Sequence, residues 1–183
     1  MLKKMWLHFK LITKHRWLVF KFCVKVGIPF RGLIHDLSKY SFTEFFESAK
    51  YYVGYKSPIQ VAREEREYSK AWLHHKGRNK HHEEYWYDFN APVKAPVIPY
   101  KYAVEMLCDS LSAGITYKGK EFKNDYPLWY WNNKKNKDLF HPKMQRFFED
   151  VYNEIAEKGI AEVLKKDIIK EKYNKYCKNN IKE

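Results

Sequence analysis

Apolar side chains recur at Leu11, Ile12, Leu18, Val19, Phe22 and Val26. That is the 3.6-residue repeat of an amphipathic helix, and it predicts one over about residues 4–26. Gly27-Ile28-Pro29 ends it. His8 and His15 fall on the apolar stripe rather than on the charged face. Helical signals continue down the chain. Ser41-Phe42-Thr43-Glu44 is a capping box, with Ser41 as N-cap and Glu44 reaching back, and it opens a helix to about residue 52. Ser57-Pro58 starts a long charged helix over about 58–76, with proline at its first position.

Residues 83–99 read as an irregular loop punctuated by Pro92, Pro96 and Pro99. A helix is expected over about 100–116, with Val104, Leu107, Cys108, Leu111 and Ile115 on it and Asp109 in its middle. Glu105, Ser112, Ala113 and Thr116 share helical spacing with Asp109, and such small neighbours suit a cleft. Residues 117–140 read as loop. Their aromatic run, Tyr126-Pro127-Leu128-Trp129-Tyr130-Trp131, is read as core packing ahead of a lid over a nucleobase. Helices over about 142–157 and 160–176, split by Gly159, close the chain, and the last seven residues are expected to fray. With seven glycines and seven prolines in 183 residues and no segment that reads as a strand, the expected fold is all-α. It is expected to be one domain over residues 1–183 with six to seven helices.

The chemistry concentrates in the histidines. Four of eight fall within nine residues, His74, His75, His81 and His82, and another stands beside an acid in His35-Asp36. Neutral imidazole with carboxylate is a donor set for Fe, Mn, Zn, Co or Ni. Adjacent helical residues point about 100° apart, so one member of a helical pair faces a shared site and the other turns away. In chain order the candidates are His15, His35, Asp36, His74 or His75, His81 or His82, and Asp109. His8 and His141 read as structural.

That order resembles the HD-domain superfamily of metal-dependent phosphohydrolases. Its signature is a histidine on an early helix, a His-Asp doublet on the next and an aspartate on a later one. Two-metal members add histidines in between. The resemblance covers about residues 8–116, and the string from Ala71 to His82 resembles a bacterial and phage branch. It implies an HD-like helical bundle and a hydrolase of phosphomonoesters or phosphodiesters, a nucleotide being the favoured substrate. It implies one or two divalent transition metals. His15, His35, Asp36 and Asp109 would form a first metal set, and one histidine from each later pair would hold a second metal or position the phosphate. Lys39, three residues past Asp36, matches a lysine that contacts substrate phosphate in such proteins. Arg78, between the histidine pairs with Lys76 and Lys80, would add positive charge and, with Lys39, neutralise phosphate charge in the transition state. The pairs lie only seven residues apart, closer than in two-metal members, which leaves room for a single metal. No glutamate stands out as general base among Glu44, Glu67, Glu83 and Glu84.

Charge and cysteines bound the alternatives. A net charge of +13 favours anionic partners, whether nucleotide, nucleic acid or anionic membrane, or else a plain Lys-rich surface. Cys23, Cys108 and Cys177 are far apart and odd in number, which fits a reducing cytoplasm rather than a disulfide framework. Lysines interrupt the most apolar stretch, residues 5–28, so neither a membrane span nor a secretory leader is expected. Two other functions compete: an HD-fold di-iron oxygenase on the same donors, and a non-enzymatic nucleic-acid binder.

Overall fold

The computed structural model describes residues 1–178, and among them the chain is all-helical, with no strand. Its helices are α1 (Leu2–Lys25), α2 (Pro29–Ile34), α3 (Phe42–Lys50), α4 (Pro58–Arg66), α5 (Lys70–Lys76) and α6 (Glu83–Trp86), then α7 (Tyr100–Lys118), α8 (Tyr126–Asn132), α9 (Pro142–Lys158), α10 (Ile160–Val163) and α11 (Lys166–Cys177). Among the described residues no helix is long and apolar enough to cross a membrane.

These eleven helices exceed the six to seven expected: the short α6 forms inside residues 83–99, expected as loop, and further differences have local reasons. The helix expected over 58–76 is two, because Glu67 adopts a left-handed conformation (φ 65°) that ends α4. Ser69 then caps α5 by accepting from Trp72 N, and the Glu47 carboxylate accepts from the free amides of Lys70 and Ala71. Residues 126–132, expected as loop, form α8. Trp131 turns inward against Phe140, Phe148 and Tyr152, while Trp129 and Tyr130 stay exposed. The last expected helix breaks at Leu164 into α10 and α11. Of the seven residues expected to fray, Cys177 is buried at the end of α11, and 179–183 lie outside the described residues.

One apolar cluster runs from Val19 of α1 through Leu107 and Leu111 of α7 to Phe147 and Phe148 of α9 and Tyr173 of α11. α1 packs on α2, α3 and α7, and α9 packs on α8, α10 and α11. The elements bearing the histidines and acids thus gather at the α1–α2–α3–α5–α7 end. Close approach of α2 to α1 sets the position of the His-Asp doublet. A Cβ on Gly32 would lie 2.6 Å from Cys23 Cβ and 2.9 Å from the Phe20 backbone, so only glycine fits. Arg16 of α1 ties down the end of α2 by donating to the carbonyls of His35 (2.6 Å) and Leu33 (3.0 Å).

Candidate metal centre

His35 ends α2, and Asp36 follows in a left-handed conformation with φ 52° and ψ 29°. Such φ values are uncommon outside glycine, and aspartate is among the residues that tolerate them. The backbone reverses there and returns the Asp36 carboxylate beside the ring that precedes it. Asp36 Oδ2 lies 3.2 Å from His35 Nε2, while Oδ1 lies 3.3 Å from His75 Nε2 and 3.2 Å from His81 Nε2. Both residues are buried.

Two donor sets meet at this carboxylate. His15, His35, Asp36 and Asp109 form one, and Asp36, His75, His81 and His82 the other; within each set the donor atoms lie within 4.8 Å of one another. α1 supplies His15 from its inward face. α7 supplies Asp109, whose Oδ1 lies 2.9 Å from His15 Nε2. α5 turns His75 inward, and the turn before α6 adds His81 and His82, with His82 Nε2 3.0 Å from His75 Nε2.

The way these atoms are left is informative. His15 Nε2, His35 Nε2, His81 Nε2 and both Asp36 oxygens are buried and make no hydrogen bond of acceptable geometry. Orphaned buried polar atoms cost free energy and are rare. Here they all belong to the two donor sets that share Asp36, an arrangement in which lone pairs can converge on a cation. The other ring nitrogens are held from behind. Glu105 Oε1 lies 3.0 Å from His35 Nδ1 and 3.3 Å from His81 Nδ1, and Glu44 Oε2 lies 2.7 Å from His75 Nδ1. A carboxylate accepting from Nδ1–H leaves the Nε2 lone pair directed at the site, the arrangement that orients metal-ligating histidines.

Charge balance points the same way. Four carboxylates, Asp36, Asp109, Glu105 and Glu44, meet two fixed cations, Lys39 at 2.5 Å from Asp36 Oδ2 and Arg31 at 2.6 Å from Glu105 Oε2. The deficit falls on the histidines. Burial opposes charge on His75, but Asp36 and Glu44 raise it to about 9. His35 is raised against its burial by Asp36, Asp109 and Glu105. Glu105, pushed up by burial, is held down at about 2 by His35 and His81. His82 is held well below its ordinary value by burial and by neighbouring His81 and His75. A divalent ion would replace these protons with fixed positive charge, and the N/O donor set without thiolate fits Fe, Mn, Zn, Co or Ni.

The expected site residues separate cleanly. His15, His35, Asp36, His75, His81, His82 and Asp109 come together, and Lys39 reaches the cluster edge. His74 does not join them. Its neighbour His75 takes the inward direction, and His74 Nδ1 lies instead 2.7 Å from Glu44 Oε1. Arg78 is also elsewhere. It sits past the end of α5, exposed, and donates back to the His74 carbonyl. Lys80 lies over the Tyr85 and Tyr102 rings. Both members of the later pair, His81 and His82, contribute, because that segment is a turn rather than a helix. The close spacing of the pairs therefore leaves neither out.

Two residues gain roles that local sequence reading missed. Glu44 does not reach back to Ser41 as a capping box requires, although Ser41 still caps Glu44 N; it binds His74, His75 and Ser38. Glu105 was legible only as one of the residues sharing a face with Asp109, and its i, i+4 spacing was the available signal. Glu83 is paired with Lys134, and Glu67 is exposed. His8 packs against Phe45 and Tyr52, and His141 caps α9 by accepting from Lys143 N, both structural roles.

Residues 4–154 match the model of a family described as Family of unknown function (DUF5662). No curated protein and no solved structure matches the chain.

Proposed function

The chain belongs to DUF5662, a family of unknown function, and on the chemistry of its buried donors we propose that it is a metal-dependent phosphohydrolase of the HD type. The observation that carries this reading is the set of orphaned Nε2 and carboxylate atoms converging around Asp36. His15, His35, Asp36 and Asp109 would hold one divalent ion, and Asp36, His75, His81 and His82 a second. Bound there, such ions supply Lewis acidity and activate water near neutral pH.

The chain's own residues do the rest. Glu105 and Glu44 fix the imidazole orientations. The Lys39 side chain is a quarter exposed and bridges the buried cluster and solvent. Burial pulls its ammonium down, but Asp36 and Asp109 outweigh this and keep it charged. It can therefore move from Asp36 to a phosphate oxygen and neutralise charge that grows in the transition state. The substrate class is a phosphomonoester or phosphodiester, with a nucleotide favoured by the +13 charge.

Elemental analysis of the purified protein and of Asp36→Ala tests the proposal, together with hydrolysis of p-nitrophenyl phosphate, its bis-ester and nucleotides under Mn²⁺, Ni²⁺ or Co²⁺. Two equivalents of metal and metal-dependent hydrolysis, both lost in Asp36→Ala, are expected. Absence of metal and of hydrolysis sinks it. Iron with near-UV absorption and no hydrolysis moves the reading to O₂ chemistry on the same donors. Salt-sensitive DNA or RNA binding that survives His35→Ala, without metal, favours a nucleic-acid binder.

A further inference from the structure

The outward side of α1 carries a second pattern that the metal centre does not use. Leu2, Trp6, Phe9, Trp17 and Val24 recur at spacings of three, four, seven and eight residues, the repeat that places side chains in one row along a helix. All five are exposed, Trp6 at 60% and Trp17 at 58%. They are not isolated rings. Trp6 stacks with Phe9 at 5.9 Å, Trp17 with Phe20 at 5.5 Å, and Phe9 meets Tyr40 at 5.8 Å. Beyond α1, exposed Phe30, Leu33 and Leu37 add further apolar surface on α2 and the turn after it. An exposed row of this length on one helix, interrupted by Thr13 between Phe9 and Trp17, marks an interaction surface.

Charge identifies its occupant. Lys3, Lys10, Lys14 and Lys21 are exposed along the flank of the row, and residues 1–35 contain no aspartate or glutamate. A second copy docking through the same face would set lysine against lysine with no acid from residues 1–35 to pair. Base stacking would use the rings but not the exposed aliphatic Leu2, Val24, Leu33 and Leu37 among them, and Trp6 and Trp17 are already stacked on Phe9 and Phe20. Aromatic and aliphatic side chains in a row, bordered by lysines whose stems can lie along apolar surface while the ammonium stays wet, match a helix lying in the plane of a lipid interface. We propose that the outer face of α1 docks on an anionic membrane surface, with Trp6 and Trp17 entering the headgroup layer and the lysines pairing with lipid phosphates. His15 sits on the opposite, buried face of the same helix, so docking would bring the metal centre to the membrane without using its ligands.

The test is sedimentation of the full chain with phosphatidylcholine vesicles and with vesicles containing one-third phosphatidylglycerol, alongside tryptophan emission. Binding only to the anionic vesicles, with a blue shift, is expected. Trp6→Glu/Trp17→Glu should abolish both. Lys10→Gln/Lys14→Gln should weaken binding by about fivefold per lysine, and added salt should weaken it further. Circular dichroism and bound-metal content should match wild type in every variant, since all four positions are on the surface. No sedimentation with anionic vesicles overturns the proposal. So does a dimer that the tryptophan substitutions dissociate, or single-stranded DNA binding that the vesicles fail to displace. None of these readouts depends on hydrolysis, so failure here leaves the reading of the metal centre standing.

Discussion

The Glu105 carboxylate lies 3.0 Å from His35 Nδ1, reaching across from α7 to the end of α2. It also meets His81 Nδ1 at 3.3 Å and Arg31 Nη2 at 2.6 Å, and it is wholly buried. One side chain thus sets the tautomer of two histidines in the two different donor sets. Glu105→Gln should weaken metal binding by about 10–100-fold, as loss of an outer carboxylate partner does elsewhere. Competition with a chromophoric chelator measures it. Unchanged affinity would mean that Glu105 only neutralises Arg31.

The shared position of Asp36 predicts a stoichiometry. Its two oxygens face different donor sets, so Asp36→Ala should remove both metals. Asp109→Ala should spare the set of His75, His81 and His82 and leave about one equivalent. Elemental analysis of the three proteins side by side decides this.

Lys39 and Arg78 should part company in kinetics. Lys39 stands at the cluster edge, so Lys39→Ala should lower kcat/KM by about 10²-fold while metal content is kept. Arg78 is exposed and bonded to the His74 carbonyl, so Arg78→Ala should stay within about twofold of wild type. Steady-state kinetics on a phosphodiester distinguishes them.

His8 should tie stability to pH. Burial first, and Lys39 second, lower it from 6.5 to about 4. The folded state therefore binds fewer protons than the unfolded state between these values, and stability falls as pH drops from 6.5 towards 4. The full effect is about 3 kcal/mol at ~1.4 kcal/mol per unit. His8→Phe, which keeps a ring against Phe45 and Tyr52, should flatten this part of the profile. Urea unfolding of both proteins at pH 7 and pH 5 checks it through the difference between them.

Gly32 links the core to the site. Gly32→Ala places a methyl against Cys23 Cβ and the Phe20 backbone, so α2 must move away from α1 and carry His35 with it. A loss of about 1–3 kcal/mol in stability is expected, with metal content falling as well. Retained metal would show that the doublet is held by α7 alone.

Much of this was legible along the chain because it is local physics. The stripe from Leu11 to Val26 specified α1 and put His15 inside. Ser41 capped its helix, Gly159 ended α9, and the apolar run around Asp109 specified α7. Scarcity of glycine and proline, with no strand-like segment, gave the all-helical class. The order His15, His35-Asp36, the later histidines and Asp109 pointed to a cluster of nitrogen and oxygen donors before any geometry, since donor type and helical face are written in residue identity and periodicity.

Tertiary structure decided what depends on approach between distant segments. That His75 alone of the first pair but both His81 and His82 of the second turn inward follows from where α5 ends and from the next segment being a turn, and no local repeat encodes that. Glu44 sits where a capping box would use it, yet its carboxylate goes to His75 and His74, because α5 packs on α3 and brings both rings within 2.7 Å of it. Glu105 looked like one more residue on the face of Asp109 until α2 and the His81 turn met it. Asp36 became shared by two donor sets only because its left-handed backbone returns the carboxylate to the centre. The sequence by itself determined the all-helical class, the long helices α1, α7 and α9 and the kinds of donor atom. The packing of five helices around one carboxylate determined which donors meet, because convergence is a property of distance in space and not of spacing along the chain.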